Sequence, residues 1–426
     1  MWKVLVVLVI VVAGLSLAQT PQVQLVYWSR TGSGALGEGL TQLVAEFEAQ
    51  NPDIDIELVI RRNRDHFAAV DAAAAAEAAG AGRQLPTIWE AFPNNTATYI
   101  ELGLIRPIDD LLDLTPLDLA DFYPVIFAND NFNGRLYSVP VSKSVQVMYY
   151  NADLFREAGL ALPTTLDALV STARALTLSD GDGDGLPDRY GYGLRPTTSD
   201  FAYYLFTLGG QFMDDQGNFV FNNATGVRAL EFMINLVQEG IAFNGGTNFL
   251  DGPFGQQRFA FMVDTSASRS FVEQSATFAL GITTLPGARE GDIGIADIQG
   301  TSLVLNKNAT EAEAEAAARF MRFWVSPEAA GFWTQISNYL PARVSTQLDG
   351  DFANYLRENS NNTAIFRQVD HAAFEPQIST WSTIRFDCIE RAIQRAFEGL
   401  QTPQEALDQA AAEAALVAAG TGSCSG

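Results

Sequence analysis

Basic side chains, and the residue types that most often carry chemistry, are scarce in this chain of 426 residues. Lysine occurs only at Lys3, Lys143 and Lys307, histidine only at His66 and His371, and cysteine only at Cys388 and Cys424. Aspartate and glutamate number 50 against 26 lysines and arginines, a net charge of −24. A surface of that sign repels phosphate backbones and anionic bilayers, so nucleic acid and charged membrane surfaces are poor partners. There is no H-E-x-x-H helix, no C-x-x-C pair, no P-loop and no G-x-S-x-G elbow. Those absences remove the enzymes that a motif would reveal. A hydrolase built on two carboxylates leaves no motif, so a secreted glycosidase stays as the enzyme class set against binding without turnover.

Long apolar runs are lacking too, with one exception. After Lys3 the chain is apolar up to Ser16-Leu17-Ala18, where small residues stand at the two positions a signal peptidase reads. The pattern predicts a signal peptide over residues 1–18, cleaved after Ala18; an uncleaved anchor is the alternative, and the run is short for one. No cysteine lies near that site, which argues against lipid anchoring. The expectation is a soluble protein exported to the periplasm or another extracytoplasmic space. There, Cys388 and Cys424 meet oxidising conditions. A bridge between them would tie the tail to a preceding helix and contribute about 3–4 kcal/mol through loop closure; two free thiols are the alternative.

What the chain does have is a hydrophobic fraction of 47%, too high for disorder at this charge. About 400 mature residues exceed one core, so two domains are expected. Val23–Ser29 reads as a buried strand, followed by a Gly/Ser turn and a helix carrying Leu40, Leu43, Val44 and Phe47 on one face. Ile54–Ile60 alternates like a second strand, an alanine-rich helix spans about 65–79, and Leu85–Trp89 is a third short strand. This alternation indicates an α/β sheet with helices on its faces. A second β-rich stretch begins near Leu136–Asn151 without a flexible linker, and further strands are expected at Phe259–Asp264, Phe278–Leu285 and Thr301–Leu305. Helices are predicted over Glu311–Trp324, Ile384–Phe397 and Thr402–Ala419, the last opened by T-P-Q-E.

The densest chemistry is S-D-G-D-G-D-G-L-P-D, from Ser179 to Asp188. Asp180, Asp182 and Asp184 occupy positions one, three and five of a calcium loop, Gly185 the turn, the carbonyl of Leu186 position seven and Asp188 position nine. Gly191 stands at twelve, where a bidentate glutamate is usual, so a ligand from elsewhere or water must complete the shell. A structural Ca2+ is the expectation, with a solvated acidic turn as the alternative.

Seven segments in order carry a resemblance: V-Y-W-S-R-T-G-S-G at Val26–Gly34, L-G-L-I-R-P-I-D-D-L at Leu102–Leu111, V-M-Y-Y-N-A-D-L-F-R-E-A-G-L at Val147–Leu160, F-G-Q-Q-R-F-A-F-M at Phe254–Met262, I-Q-G-T-S-L-V-L at Ile298–Leu305, N-Y-L-P-A at Asn338–Ala342 and T-P-Q-E-A-L-D at Thr402–Asp408. Together they resemble the bacterial extracellular solute-binding proteins, the family of maltose- and glycerol-3-phosphate-binding proteins that serve ABC importers. The resemblance implies a type II-like α/β fold of two lobes with the ligand cleft between them. The chain would cross near Val141–Val145, Leu285–Ile298 and Pro341–Ser345. Residues 19–141 and 298–343 would form the N-terminal lobe, and residues 145–293 and 346–426 the C-terminal lobe.

It also implies a monomer that captures a sugar or polyol and delivers it to a permease. Cleft positions implied by the resemblance are Asn94, Lys143, Ser144, Thr265, Ser266, Gly300, Thr301, Tyr339 and Arg385. Arg385 could fork onto phosphate or vicinal hydroxyls. Two departures weaken a phosphate ligand: Phe92-Pro93-Asn94-Asn95 replaces an expected glutamate, and Arg195-Pro196-Thr197-Thr198 stands where tryptophans are expected. Trp28, Trp89, Phe92, Tyr339 and Trp381 are aromatic candidates for a sugar face. The reading inclines to carbohydrate, with glycerol phosphate as the alternative.

Overall fold

A computed structural model describes residues 23–32, 34–112 and 118–425. The expected signal peptide lies outside the described residues. Among the described residues no helix is long and apolar enough to cross a membrane.

The first three strands are β1 (Val23–Ser29), β2 (Ile54–Ile60) and β3 (Ile88–Ala91). β1 pairs in parallel with both others, Val23 facing Ile54 and Tyr27 facing Ile88. Parallel pairing needs a crossover, and the helix Ala35–Gln50 supplies the one between β1 and β2 by burying Leu40, Leu43, Val44 and Phe47. Next come a small hairpin, β4 (Asn131–Phe132) with β5 (Arg135–Leu136), and the 14-residue strand β6 (Ser138–Asn151). The remaining strands are β7 (Tyr190–Leu194), β8 (Ala242–Asn244), β9 (Phe259–Thr265), β10 (Leu280–Thr283), β11 (Ala296–Leu305) and β12 (Ala372–Ala373).

The strand order is β2-β1-β3-β11-β6-β9-β7-β8, with β10 also on β6 and β12 on β11. β6 belongs to both halves of this series. Its first part pairs with β11 through Val145, and from Gln146 onward it pairs with β9. β11 does the same in reverse: Leu305 faces Ile88 of β3, while Ile298 faces Val145 of β6. A third pass occurs at Leu340, whose N–H donates to the Lys143 carbonyl at 2.7 Å. The architecture is therefore two α/β lobes joined by shared strands, in keeping with the missing linker.

Several boundaries differ from the sequence reading. β11 starts five residues before the expected Thr301, because the strand continues across the junction through a register shift between Thr301 and Ser302. The expected strand at Phe278–Leu285 shortens to β10, since only Leu280–Thr283 finds a partner in β6. The helix Glu311–Trp324 is as expected, closed at its start by a capping box of Thr310 and Glu313. Pro403–Ala418 has the same device in Thr402 and Glu405. Cys388 and Cys424 are disulfide-bonded in this structure, with Cα atoms 5.1 Å apart.

Candidate functional site

Two adjoining chambers open where the strands cross, and Gln299 and Arg385 line both. The first, about 460 Å³, is aromatic. Phe67 and Phe92 come to it from the N-terminal half of the chain, Phe374 from just after β12, and Trp381 and Phe386 from the segment that begins the penultimate helix. Asn94 joins them because Pro93 starts a helix directly after β3, which places its first turn at the end of the sheet. Residues Ile384–Glu390 form a π-helical turn, a local widening that recurs at functional sites. It carries Arg385 toward the junction.

The second chamber, about 240 Å³, is acidic. β6 contributes Ser144 and Gln146, β9 Asp264 and Thr265, and β11 Asp297; Asp200 lies in the helix Thr198–Thr207 that follows β7. All three aspartates are buried.

The polar groups are wired in two sets. Arg385 Nε donates to both Glu375 carboxylate oxygens, at 2.9 and 2.8 Å, and Nη2 donates to Ser199 Oγ at 2.5 Å. Trp381 Nε1 donates to the same carboxylate at 2.6 Å. Burial works against the Arg385 charge, but Glu375 and Asp297 outweigh it and raise the guanidinium above its usual range. Gln299 Nε2 bridges Ser199 Oγ at 2.9 Å and Asp297 Oδ2 at 2.6 Å.

In the other set, Asp200 Oδ2 accepts from the Arg195 backbone N–H at 3.0 Å, and Asp264 Oδ1 accepts from Thr265 N at 2.7 Å and Ser268 Oγ at 3.2 Å. Arg195 Nη1 is 3.9 Å from Asp264. Burial pushes the Asp200 carboxyl up to about 7, despite Arg195. It raises Asp264 as well, and it raises Asp297 strongly with help from the neighbouring Glu375.

The residues named from sequence divide between lining and support. Asn94, Gly300 and Arg385 line the aromatic chamber; Ser144, Thr265 and again Arg385 line the acidic one. Gly300 has φ near +127° and its Cα lies so close to Ser142 that an added Cβ would sit 1.9 Å from the Ser142 carbonyl oxygen. Only glycine permits that approach.

Lys143 is corrected: it is wholly buried, donating to Asn129 Oδ1 at 2.5 Å and lying 3.5 Å from Asp130. The reason is that β6 is covered on both faces, so a side chain there is enclosed whichever way it points. Thr301 is also buried, accepting from Arg30 Nε at 3.2 Å and donating to Glu90 at 2.8 Å. Ser266 is buried and reaches the Asn338 carbonyl, and Tyr339 accepts from Arg30 Nη2 at 3.1 Å. These support the junction without lining either chamber. Of the aromatic candidates, Phe92 and Trp381 line the site, Trp89 is core, and Trp28 lies under Arg61.

Sequence reasoning missed Glu375, Ser199, Gln299 and the three buried aspartates. Gln299 lies inside the quoted segment Ile298–Leu305, Asp297 directly precedes it, and the Arg195–Thr198 departure adjoins Ser199; those were the available signals.

The acidic loop lies apart, between Leu178 and Arg189, which pair across its base. Asp180, Asp182 and Asp188 can each bring an oxygen within 4.8 Å of the others. Gly183 and Gly185 take φ of 85° and 86°, letting the chain curl so that Gly183 N (2.5 Å) and Gly185 N (2.8 Å) donate to Asp180. Those backbone bonds hold Asp180 below the usual carboxylate range. Asp184 Oδ1 is turned to the Leu186 N–H at 2.8 Å. Hard oxygens gathered on an exposed turn suit a divalent cation of the calcium type.

The description of bacterial extracellular solute-binding proteins matches residues 42–358. The sn-glycerol-3-phosphate-binding periplasmic protein of Escherichia coli is 24% identical over 402 residues, 88% of each chain. The cyclic alpha-maltosyl-1,6-maltose binding protein of Arthrobacter globiformis superposes with a TM-score of 0.79 at 21% identity, covering 94% of this chain and 99% of that one. The Mycobacterium tuberculosis protein UgpB, solved with glycerophosphocholine, gives 0.77 at 20% identity over 94% and 98%. With two lobes, a cleft at their shared strands and a match through most of its length, this chain belongs to the bacterial extracellular solute-binding protein family.

Proposed function

We propose that the protein captures a carbohydrate or related polyol outside the cytoplasmic membrane and hands it, unaltered, to the permease of an ABC importer. The observation that carries the choice of ligand is the aromatic chamber at the lobe junction, whose one guanidinium already gives its Nε–H to Glu375 and its Nη2 to Ser199. Aromatic faces with a few fixed polar groups suit a sugar ring, which is apolar on its faces and polar at its rim. A ligand that touches both lobes favours the closed arrangement by its differential affinity for it. In this reading the chain is exported by cleavage of residues 1–18, acts as a monomer, and has lobes divided as the sequence suggests. Asp180, Asp182, Asp188 and the Leu186 carbonyl hold a structural calcium ion, which supplies charge balance to the loop and takes no part in ligand chemistry.

A glycerol-3-phosphate or glycerophosphodiester ligand is the second reading, favoured by what the Escherichia coli and Mycobacterium tuberculosis relatives bind. Against it stand the partners of Arg385: a phosphate that took the guanidinium fork would have to displace Glu375 from Nε and Ser199 from Nη2. Calorimetry decides between the two. A true ligand should also stabilise the protein by about 2.7 kcal/mol at a hundredfold excess over Kd. Tight glycerol-3-phosphate binding that Arg385→Lys abolishes would overturn the carbohydrate reading. Release of reducing sugar from an oligosaccharide panel would overturn binding without turnover.

A further inference from the structure

Arg385 reaches the lobe junction from the π-helical turn Ile384–Glu390, which leads into the helix Arg391–Phe397. A π turn holds one residue more than an α turn and occurs mostly as a single turn inside a helix. Relaxing it to the α form would rotate the residues before it by about 100° around the helix axis, the angle one residue spans. That rotation would carry Arg385 off Glu375 and Ser199. The turn must therefore be held by its surroundings. One hold comes from Thr198, whose Oγ1 donates to the Arg385 carbonyl at 3.0 Å and whose N–H donates to Glu390 Oε2 at 3.3 Å. The second comes from Cys388, which lies inside the turn, is wholly buried and is bonded to Cys424.

Past the helix Pro403–Ala418 the sequence runs A-G-T-G-S-C-S, with no large apolar side chain to anchor it. Gly420, at φ near +66°, turns the chain back, so that Gly420 N donates to the Val417 carbonyl and Thr421 N to that of Leu416, both at 3.0 Å. Ser425 Oγ accepts from Gln409 Nε2 at 2.8 Å and donates to Glu413. Between these fixed points stands Cys424, whose Sγ lies 4.0 Å from the carbonyl oxygen of Thr383, the residue just before the π turn.

We infer that the Cys388–Cys424 bond is a brace that holds the π turn and so positions Arg385 in the cleft. Neither cysteine lines a chamber; both act through the arginine. A disulfide confines the distance between its two Cα atoms, here 5.1 Å. Cys388 cannot rotate with a relaxing turn unless Cys424 follows, and Cys424 is tethered beside Glu413 and Gln409. Without the bond, Thr198 alone opposes the α form from within the cleft. The inference rests on Arg385 lying at the site, and not on which class of ligand the site takes.

The test uses the full chain with Cys388→Ala and Cys424→Ala together. Hydrogen exchange without ligand should become about tenfold faster or more over residues 381–391, while the helix Ala35–Gln50 of the other lobe is unchanged. Calorimetry with maltose, ribitol and glycerol 3-phosphate then asks whether the bond acts through Arg385. Whichever probe binds the wild type should bind the paired variant about tenfold more weakly. In an Arg385→Lys background the same pair should cost no more than about twofold, because the group it positions is already gone. If the paired variant fails to fold, wild-type protein reduced with a trialkylphosphine replaces it. The disulfide then takes up two electrons and two protons, and the phosphine becomes its oxide with oxygen from water. Unchanged exchange over residues 381–391 would overturn the inference, as would equal losses of affinity in the two backgrounds. Silence from all three probes would count against the proposed ligands alone, and the exchange result would then decide the brace by itself.

Discussion

The chain carries two sets of aspartates that behave in opposite ways. Asp180, Asp182, Asp184 and Asp188 are neighbours in sequence and exposed. Asp200, Asp264 and Asp297 come from three separate elements and are buried. In the loop, backbone N–H groups hold Asp180 below the usual carboxylate range; in the cleft, burial drives all three carboxyl groups up. Local density of charge thus says little about its energy. Convergence under a low dielectric says more, because water no longer screens what the fold brings together.

The comparison can be broken most forcefully at Arg385. Arg385→Met leaves the partly buried Glu375 and the buried Asp297 beside each other without a cation, and removing one partner of a buried pair costs about 3–5 kcal/mol. Urea denaturation at pH 7.5 should show that loss, and a change below about 1 kcal/mol would mean that the cleft carboxylates are better hydrated than their burial implies.

The next effect is in the pH profile. Asp200 has a folded value of about 7, above its unfolded value, because burial outweighs Arg195 and Thr197 while Asp264 adds to the rise. Between about pH 4 and 7 the unfolded chain therefore binds fewer protons than the folded one, so stability falls as pH rises through that window and levels off above it. The carboxyl groups held low, such as Asp53 and Asp121, act in the opposite direction at lower pH. Asp200→Asn should flatten the slope between pH 5 and 7 by roughly 2–3 kcal/mol in total. An unchanged melting profile across that range would sink the assignment.

Calcium sharpens the contrast from the other side. At tenfold excess over its Kd the ion should stabilise the protein by about 1.4 kcal/mol, and Asp182→Ala should remove the response. Identical melting curves with and without chelator, on protein shown to be metal-free, would leave the loop a solvated turn. The smallest effect is expected for Asp184→Ala in chelator, within about 0.5 kcal/mol. A larger loss there would show that the loop's hydrogen bonds stabilise the fold without a cation.

Most of the fold was legible in the sequence because its signals are local. The stripe Leu40, Leu43, Val44 and Phe47, the T-P-Q-E start of the last helix and the β-rich stretch after Leu136 each declare themselves within one turn or one strand. The site was legible only in part. Asn94, Gly300 and Arg385 were reached through the family resemblance, whereas Glu375 and Asp297 depend on pairings between distant parts of the chain. Lys143 shows the converse failure. In a strand covered on both faces a charged residue is read most easily as a ligand contact, yet its partners Asn129 and Asp130 make it structural. Alternation cannot reveal burial where both faces are covered.

The sharing of β6 and β11 also fixes when the protein can fold. β3 and the first part of β6 are joined only through β11, which emerges from the ribosome about 160 residues after β6 begins. Until Ala296–Leu305 is made, the first lobe lacks the strand that lies between β3 and β6. Closure through contacts so distant in sequence is slow. The two halves of the sheet are therefore joined only when nearly three quarters of the chain has been made.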